Sequence, residues 1–319
     1  MSSILDFLNS PLVVGYFSAA MRLAIPIMLA ALGGVYNERS GVMNIGMEGM
    51  MLMGSLVGFV VGFYANNIWL GILAAAASGV ILGIVLAFFT VTLSADQVVA
   101  GIAINLLSVG LTSFLYRVFF GVESQMAHIN AAYTTPIPFL EKIPILGPLF
   151  FQQSPLVYFT FVLIAISYIV ITRTSWGLQI TAVGENPEAA ETLGMNVQRT
   201  RYITMIISGI LSAIGGAFLS LVATHLFLDN MTAGRGYIAL AILVLGRRHP
   251  LGILLAALMF GGADALQLRA QTMNIGIPFQ YMLMLPYLLT MIVLAIFVKK
   301  TDNPAALGVP YNPNRGESE

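Results

Sequence analysis

Long apolar runs broken by short polar punctuation dominate this chain. A helix needs ~20 mostly apolar residues to cross the hydrocarbon core of a bilayer. Nine stretches meet or approach that length: residues 11–35, 42–64, 68–92, 99–120, 155–172, 202–223, 236–246, 251–272 and 280–298. The seventh, GYIALAILVLG, has 11 residues. At ~1.5 Å each these cover about half the core. It is either a half-helix or a helix entered from the preceding loop. Residues 4–10 offer one more short apolar piece, so the pattern predicts about nine membrane helices, within a range of eight to ten. The expected fold class is all-α, a polytopic membrane helical bundle over residues 1–300. A cytoplasmic loop at 173–201 interrupts it, and the Pro-containing tail 301–319 is expected to be disordered.

Composition supports a bilayer environment. Of 319 residues, 58% are apolar and 9% charged, whereas a soluble domain carries ~25% charge. No Lys or Arg occurs between Arg39 and Arg117, and the only charges in that stretch are Glu48 and Asp96. Each charge at a bilayer centre costs ~2.5–3.5 kcal/mol on insertion scales. Net charge is zero, with no basic patch for nucleic acid. The absence of cysteine excludes disulfides and thiolate chemistry, and three dispersed histidines make no zinc-binding spacing. The N-terminus MSSILDFLNS lacks a basic n-region and a small-residue cleavage site, so it reads as retained rather than as a signal peptide.

The Lys and Arg bias sets the orientation. With loop 173–201 in the cytoplasm, nine basic residues lie inside (Arg39, Arg173, Arg199, Arg201, Arg247, Arg248, Lys299, Lys300, Arg315) against four outside (Arg117, Lys142, Arg235, Arg269). The C-terminus is then cytoplasmic. The outer loop 121–154 holds four prolines and reads as an irregular cap. A faint internal repeat pairs residues 70–73 with 251–254, both Leu-Gly-Ile-Leu, and the Gly-bounded segments 41–54 with 234–246. The copies are five spans apart, an odd offset that makes them inverted, with broken or half helices at equivalent places. Gly and Ser at four-residue spacing, as at Gly54, Gly58 and Gly62 or Ser208, Ser212 and Gly216, read as close helix packing.

Four segments can carry chemistry. In 38–54, ERSGVMNIGMEGMMLMG, Asn44, Gly46, Glu48 and Gly49 fall where a helix should start. A broken helix is tolerated where it lines a cavity, so this is either a pathway-lining element or a carboxylate facing water near the interface. On the fourth span Gln97, Gly101, Asn105, Ser108 and Thr112 form one polar stripe, which must face protein or water. Asn105 is the residue best placed there for a solute contact; interhelical hydrogen bonding is the competing role. On the eighth span Asp264, Gln267 and Gln271 share a face. Asp264 is either a pathway residue or half of an ion pair with Arg22 or Arg269. In the loop, TAVGENPEAAETLGMNV signals a short helix: Asn186 as N-cap, Pro187 first, Glu188 and Glu191 near the positive end, Gly194 as the stop. Its apolar face of Ala189, Ala190 and Leu193 either docks in a partner's groove or rests on its own bundle.

No G-x-x-x-x-G-K-[ST], H-E-x-x-H or G-x-S-x-G motif is present. Energy for active transport must then come from another subunit or an ion gradient. The segments ERSGVMNIGMEGMMLMG, DQVVAGIAINLL, AVGENPEAAETLGMNV and NMTAGRGYIALAILVLGRRHPLG resemble the permease subunits of bacterial ABC importers, in the group serving simple sugars, branched-chain amino acids and nucleosides. The resemblance covers about residues 20–310 and is nearest to the nucleoside-type permeases. It implies a non-enzymatic transport subunit of the bacterial cell membrane with no cofactor of its own. ATP would be bound by a partner subunit. The partners implied are a second homologous permease (a heterodimer), an ATP-binding subunit and an extracytoplasmic solute-binding lipoprotein. Gly184, Glu185, Asn186, Pro187, Glu188, Ala189 and Ala190 match the family's ATPase-contacting loop. Asn44 and Glu48 match its N-x-G-x-E-G element near the pathway, and Gln97, Asn105, Asp264 and Gln267 complete the candidate translocation path. The alternatives are a ribose-like sugar permease and an ion-coupled secondary transporter using Asp264.

Overall fold

The computed structural model describes residues 11–121, 152–272, 279–284 and 303–311, with a few single positions between them. These residues form α1 (Pro11–Arg39), α2 (Met47–Ala65), α3 (Ile68–Ala87), α4 (Gln97–Phe120), α5 (Pro155–Arg173), α6 (Ser175–Glu185), α7 (Pro187–Thr192), α8 (Val197–Phe218), α9 (Arg235–Leu245), α10 (Pro250–Thr272) and a short α11 (Phe279–Leu283). Among the described residues seven helices are long and apolar enough to cross a membrane, and α9 is a shorter apolar helix. The expected span at 280–298 and the outer loop 121–154 lie largely outside the described residues, and the piece at 4–10 wholly so.

Helix α8 is the hub. It packs against α1, α2 and α3, and α10 lies along α1. The cause is visible in the small-residue ridges. A Cβ on Gly216 would sit 1.7 Å from the Met51 carbonyl oxygen of α2, and one on Gly79 of α3 would sit 2.4 Å from that of Gly209. Only hydrogen at these positions lets the backbones meet. The outward faces of α3 and α4 are largely apolar, with Leu73, Ile81, Val99, Leu106 and Phe114 exposed. Helices α3 and α8 both end in a single π-turn, at Phe88–Thr92 and Leu219–Ala223.

Two helices start inside the bundle. Residues 41–46 are not helical, and α2 begins only at Met47. Helix α9 begins after Gly234, whose φ of 84° favours glycine. Its far end is bolted to the end of α1: the Arg248 Nε lies 2.5 Å from the buried Glu38 carboxylate, and Arg39 Nε donates to the Arg248 carbonyl at 2.9 Å. Eleven residues rise about 16 Å, so the start of α9 lies roughly half a hydrocarbon thickness from that end. The seventh apolar stretch is therefore a half-helix entered from the loop before it. The segments paired by the internal repeat, 41–54 and 234–246, contain the two helix starts that meet here.

Three expectations need correction. Arg201, counted among loop cations, is on α8 and 1% exposed. Arg235, counted outside, is half-buried at the head of α9 and donates to the Met231 and Thr232 carbonyls. Residues 303–311, expected to be disordered, lie against the 173–201 loop, with Ala306 donating to the Gly184 carbonyl at 2.9 Å.

Candidate functional site

The two internal helix starts meet at Glu48. Its side chain is 5% exposed and does not face water as one reading had it. One carboxylate oxygen accepts from the Thr232 hydroxyl at 2.6 Å and the Gly234 amide at 2.8 Å; the other accepts from the Gly236 amide at 2.6 Å. Glu48 also lies in the first turn of its own helix. One negative charge thus serves the positive ends of α2 and α9 together. The approach is tight, since a Cβ on Gly236 would sit 2.4 Å from the Glu48 amide nitrogen.

Asn105 of α4 closes the seam from the other side. Its Oδ1 accepts from the Gly49 amide at 2.7 Å, and its Nδ2 donates to the Ile45 carbonyl and the Tyr237 hydroxyl, both at 3.0 Å. It thereby joins the break before α2, the first turn of α2, and α9. Gln97 Oε1 accepts from the Met43 amide at 2.7 Å, and Asn44 Nδ2 donates to Ser208 of α8 at 2.9 Å. The polar stripe of α4 faces protein, with Gln97, Gly101, Asn105, Ser108 and Thr112 all buried. Asn44 Oδ1, Gln97 Nε2 and Ser108 Oγ remain buried without a partner. A buried polar atom left so costs ~1–3 kcal/mol.

Asn44, Glu48, Gln97 and Asn105 are therefore brought together, and Asp264 and Gln267 make none of these bonds. Both lie on α10, on the α1 side of the bundle; Gln267 is buried and Asp264 partly so. The two expected ion-pair partners are engaged elsewhere: Arg22 donates to Ser18, and the Arg269 guanidinium lies 6.0 Å from the Tyr16 ring centre. Sequence reasoning missed Thr232, Gly234, Gly236 and Tyr237 as partners of the seam; the glycine-bounded start of the short span was the available signal.

The helix in the 173–201 loop forms as its end signals specify. Asn186 Oδ1 accepts from the Ala189 amide at 3.0 Å, and Gly194 ends the turn with φ 81°. Its apolar residues, however, do not share a face. Ala190 is buried against Val183 and Val197, while Ala189 is exposed and Leu193 is 76% exposed. A six-residue helix folded onto α6 and α8 must spend one side on its own bundle. Gly184 is buried against α1, with its would-be Cβ 2.0 Å from the Arg39 carbonyl oxygen. Glu185, Asn186, Glu188, Ala189 and Leu193 form the free surface, with Pro187 partly exposed.

Comparison with known proteins places this architecture. The chain is 40% identical over 305 residues to the guanosine ABC transporter permease protein NupQ of Bacillus subtilis, covering 92% of this chain and 95% of that one. It is 36% identical to the nucleoside ABC transporter permease protein NupC of Lactococcus lactis subsp. cremoris, over 90% of this chain and 93% of the relative. It is also 36% identical to the putative glucose ABC transporter permease protein TsgC13 of Haloferax volcanii, over 93% and 97%. The same two bacteria each hold a second, more distant permease match, at 25% and 26% identity. No solved structure matches. A family model described as branched-chain amino acid transport system permease component matches residues 16–294. With that match and relatives of such identity along nearly the whole length, this chain belongs to the family of branched-chain amino acid transport system permease components.

Proposed function

We propose that this chain is one membrane subunit of an ATP-driven importer for nucleosides. The observation that carries the reading is the 40% identity to a guanosine permease along nearly its full length. The chain works beside a second, related permease. This pairing is supported by the two distant matches from bacteria that also hold a near one. An ATP-binding subunit meets it on the cytoplasmic side, and a solute-binding lipoprotein delivers from outside. ATP stays on that partner, and the chain moves solute without chemistry of its own. It is a multi-pass protein of the plasma membrane with its C-terminus inside.

The internal helix starts give the reading a mechanism. Irregular backbone deep in a membrane protein is tolerated where it is buried in protein or lines a route. The route runs beside the seam of Asn44, Glu48, Gln97 and Asn105, whose unpaired atoms are exposed to solute or water when the helices part. Glu48 holds the two helix starts together while they move. Asp264 and Gln267 line or support a separate stretch of the same route. The free surface of 185–193 contacts the ATPase.

A second reading has its own support, since a putative glucose permease is 36% identical along nearly the full length. Competition separates the two. Uptake of labelled guanosine by cells expressing the complete importer should be blocked by unlabelled nucleosides and unaffected by glucose. Uptake of labelled glucose with no uptake of labelled guanosine would move the substrate to the sugars.

A further inference from the structure

Residues 303–311 make directional contacts to four separate elements. Gly308, with φ 78°, donates its amide to the Gly41 carbonyl at 3.0 Å, just past the end of α1. Ala306 donates to the Gly184 carbonyl at 2.9 Å, and the Ala305 amide lies 3.3 Å from the Glu185 carboxylate, both at the end of α6. The Tyr311 hydroxyl donates to the Glu191 carboxylate on α7. Arg201 of α8 donates from Nη1 to the Val309 carbonyl at 3.2 Å, and its guanidinium stands 5.9 Å from the Tyr311 ring centre. The side chains of Pro304 and Ala306 are buried, and Tyr311 packs on the small cluster of Val183, Ala190 and Val197. A passive tail would not bond to the turn after α1, to α6, to α7 and to α8 together.

We propose that residues 303–311 are a strap that sets the position of the α6–α7 loop for the ATP-hydrolysing subunit, so that strap contact governs how well hydrolysis is coupled to transport. This rests on the reading of that loop as the ATPase contact. Two features give the strap this role. First, α7 has only six residues, too few to hold its own geometry. It rests on the bundle through Ala190, and Tyr311 packs on that same cluster and bonds Glu191. Second, the closed strap is not fully satisfied. It buries Arg201, whose Nε and Nη2 have no partner. Lifting the strap would hydrate that guanidinium. The closed form is therefore held by several bonds and opposed by the two guanidinium nitrogens it leaves unpaired.

The test uses the complete importer in lipid nanodiscs, with the delivery protein and guanosine, in three forms: wild type, Tyr311→Ala and a chain ending at Asn303. Tyr311→Ala removes the bond to Glu191 and the ring under Arg201 while leaving every loop residue in place. The strap predicts that this variant keeps its ATPase subunit and its basal hydrolysis. Stimulation by loaded delivery protein falls several-fold, and uptake falls with it. The chain ending at Asn303 loses more of both. Normal stimulation in Tyr311→Ala would overturn the proposal, whether or not the shorter chain folds. So would loss of the ATPase from Tyr311→Ala, since the strap would then be an anchor rather than a positioning element. Amide exchange across 184–192 in the isolated permease judges the strap independently of any partner. It should quicken several-fold in Tyr311→Ala, and unchanged exchange would also overturn the proposal. If the wild-type chain binds no ATPase while exchange responds as stated, the reading of the loop fails and the strap contact stands.

Discussion

Replacing Glu48 by Gln removes one formal charge and little volume from a site that is 5% exposed. The amide can keep one oxygen toward Thr232 and Gly234, but its NH2 group then faces the Gly236 amide, which at 2.6 Å now has an acceptor. A buried donor without its acceptor costs ~1–3 kcal/mol. The lost charge at the start of α9 adds up to ~2 kcal/mol in a buried setting. The two together come to about 1–5 kcal/mol, against a typical ~5–15 kcal/mol folding stability. Glu48→Ala strips all three donors and should be worse. The assay is thermal unfolding of the detergent-purified chain, followed by the loss of its monodisperse chromatographic peak. At ~2 °C per kcal/mol, Glu48→Gln should melt ~2–10 °C below wild type. A midpoint within ~1 °C of wild type would refute the claim that this carboxylate holds the two helix starts together.

Other perturbations separate packing from contact. Leu193→Asp changes a side chain that is 76% exposed, so the chain should fold normally and lose ATPase stimulation; normal stimulation would remove Leu193 from the docking surface. Ala190→Arg instead places a charge among Val183 and Val197, which costs several kcal/mol and should make the loop sensitive to protease. Gly216→Ala puts a methyl group 1.7 Å from the Met51 carbonyl oxygen and should sharply reduce folded protein; wild-type yield would contradict the α2–α8 packing. Burial, then the Glu191 and Glu188 carboxylates, push the Tyr311 phenol up to about 12, against the opposing pull of Arg201. A raised value means that the strap's bond is complete below the ordinary tyrosine value of 10.0 and is lost as pH rises through about 12. Phenolate absorbance compared between wild type and Tyr311→Phe should show this late titration, and a difference centred near 10.0 would contradict it.

Much of this architecture is legible in sequence, because each such feature is local. A run such as 99–120 has no soluble explanation, and the stripe from Gln97 to Thr112 has one inward face whatever lies opposite. Asn186 and Gly194 mark the ends of a loop helix through bonds to their own neighbours. Other features depend on distant partners. Glu48 meets Thr232 across 184 positions, and nothing in the spacing near Glu48 tells that the solvent of its carboxylate is another helix's amides. Ala190 and Leu193 look alike in a pattern; only the packing of α7 on α6 and α8 turns one in and the other out. Counting basic residues treats Arg201 as a loop cation, yet the chain end folds over it. The strap itself has no period and two prolines among residues 303–311, so local rules read it as unstructured.

The most direct test of the central claim is solute accumulation by purified components. The chain is reconstituted into sealed vesicles with its second permease and its ATP-binding subunit, with ATP on the cytoplasmic side and loaded delivery protein on the other. The account predicts that guanosine accumulates against its gradient only while ATP is hydrolysed, and that an imposed proton or sodium gradient does not replace ATP. Accumulation driven by an ion gradient in vesicles holding this chain alone would contradict it.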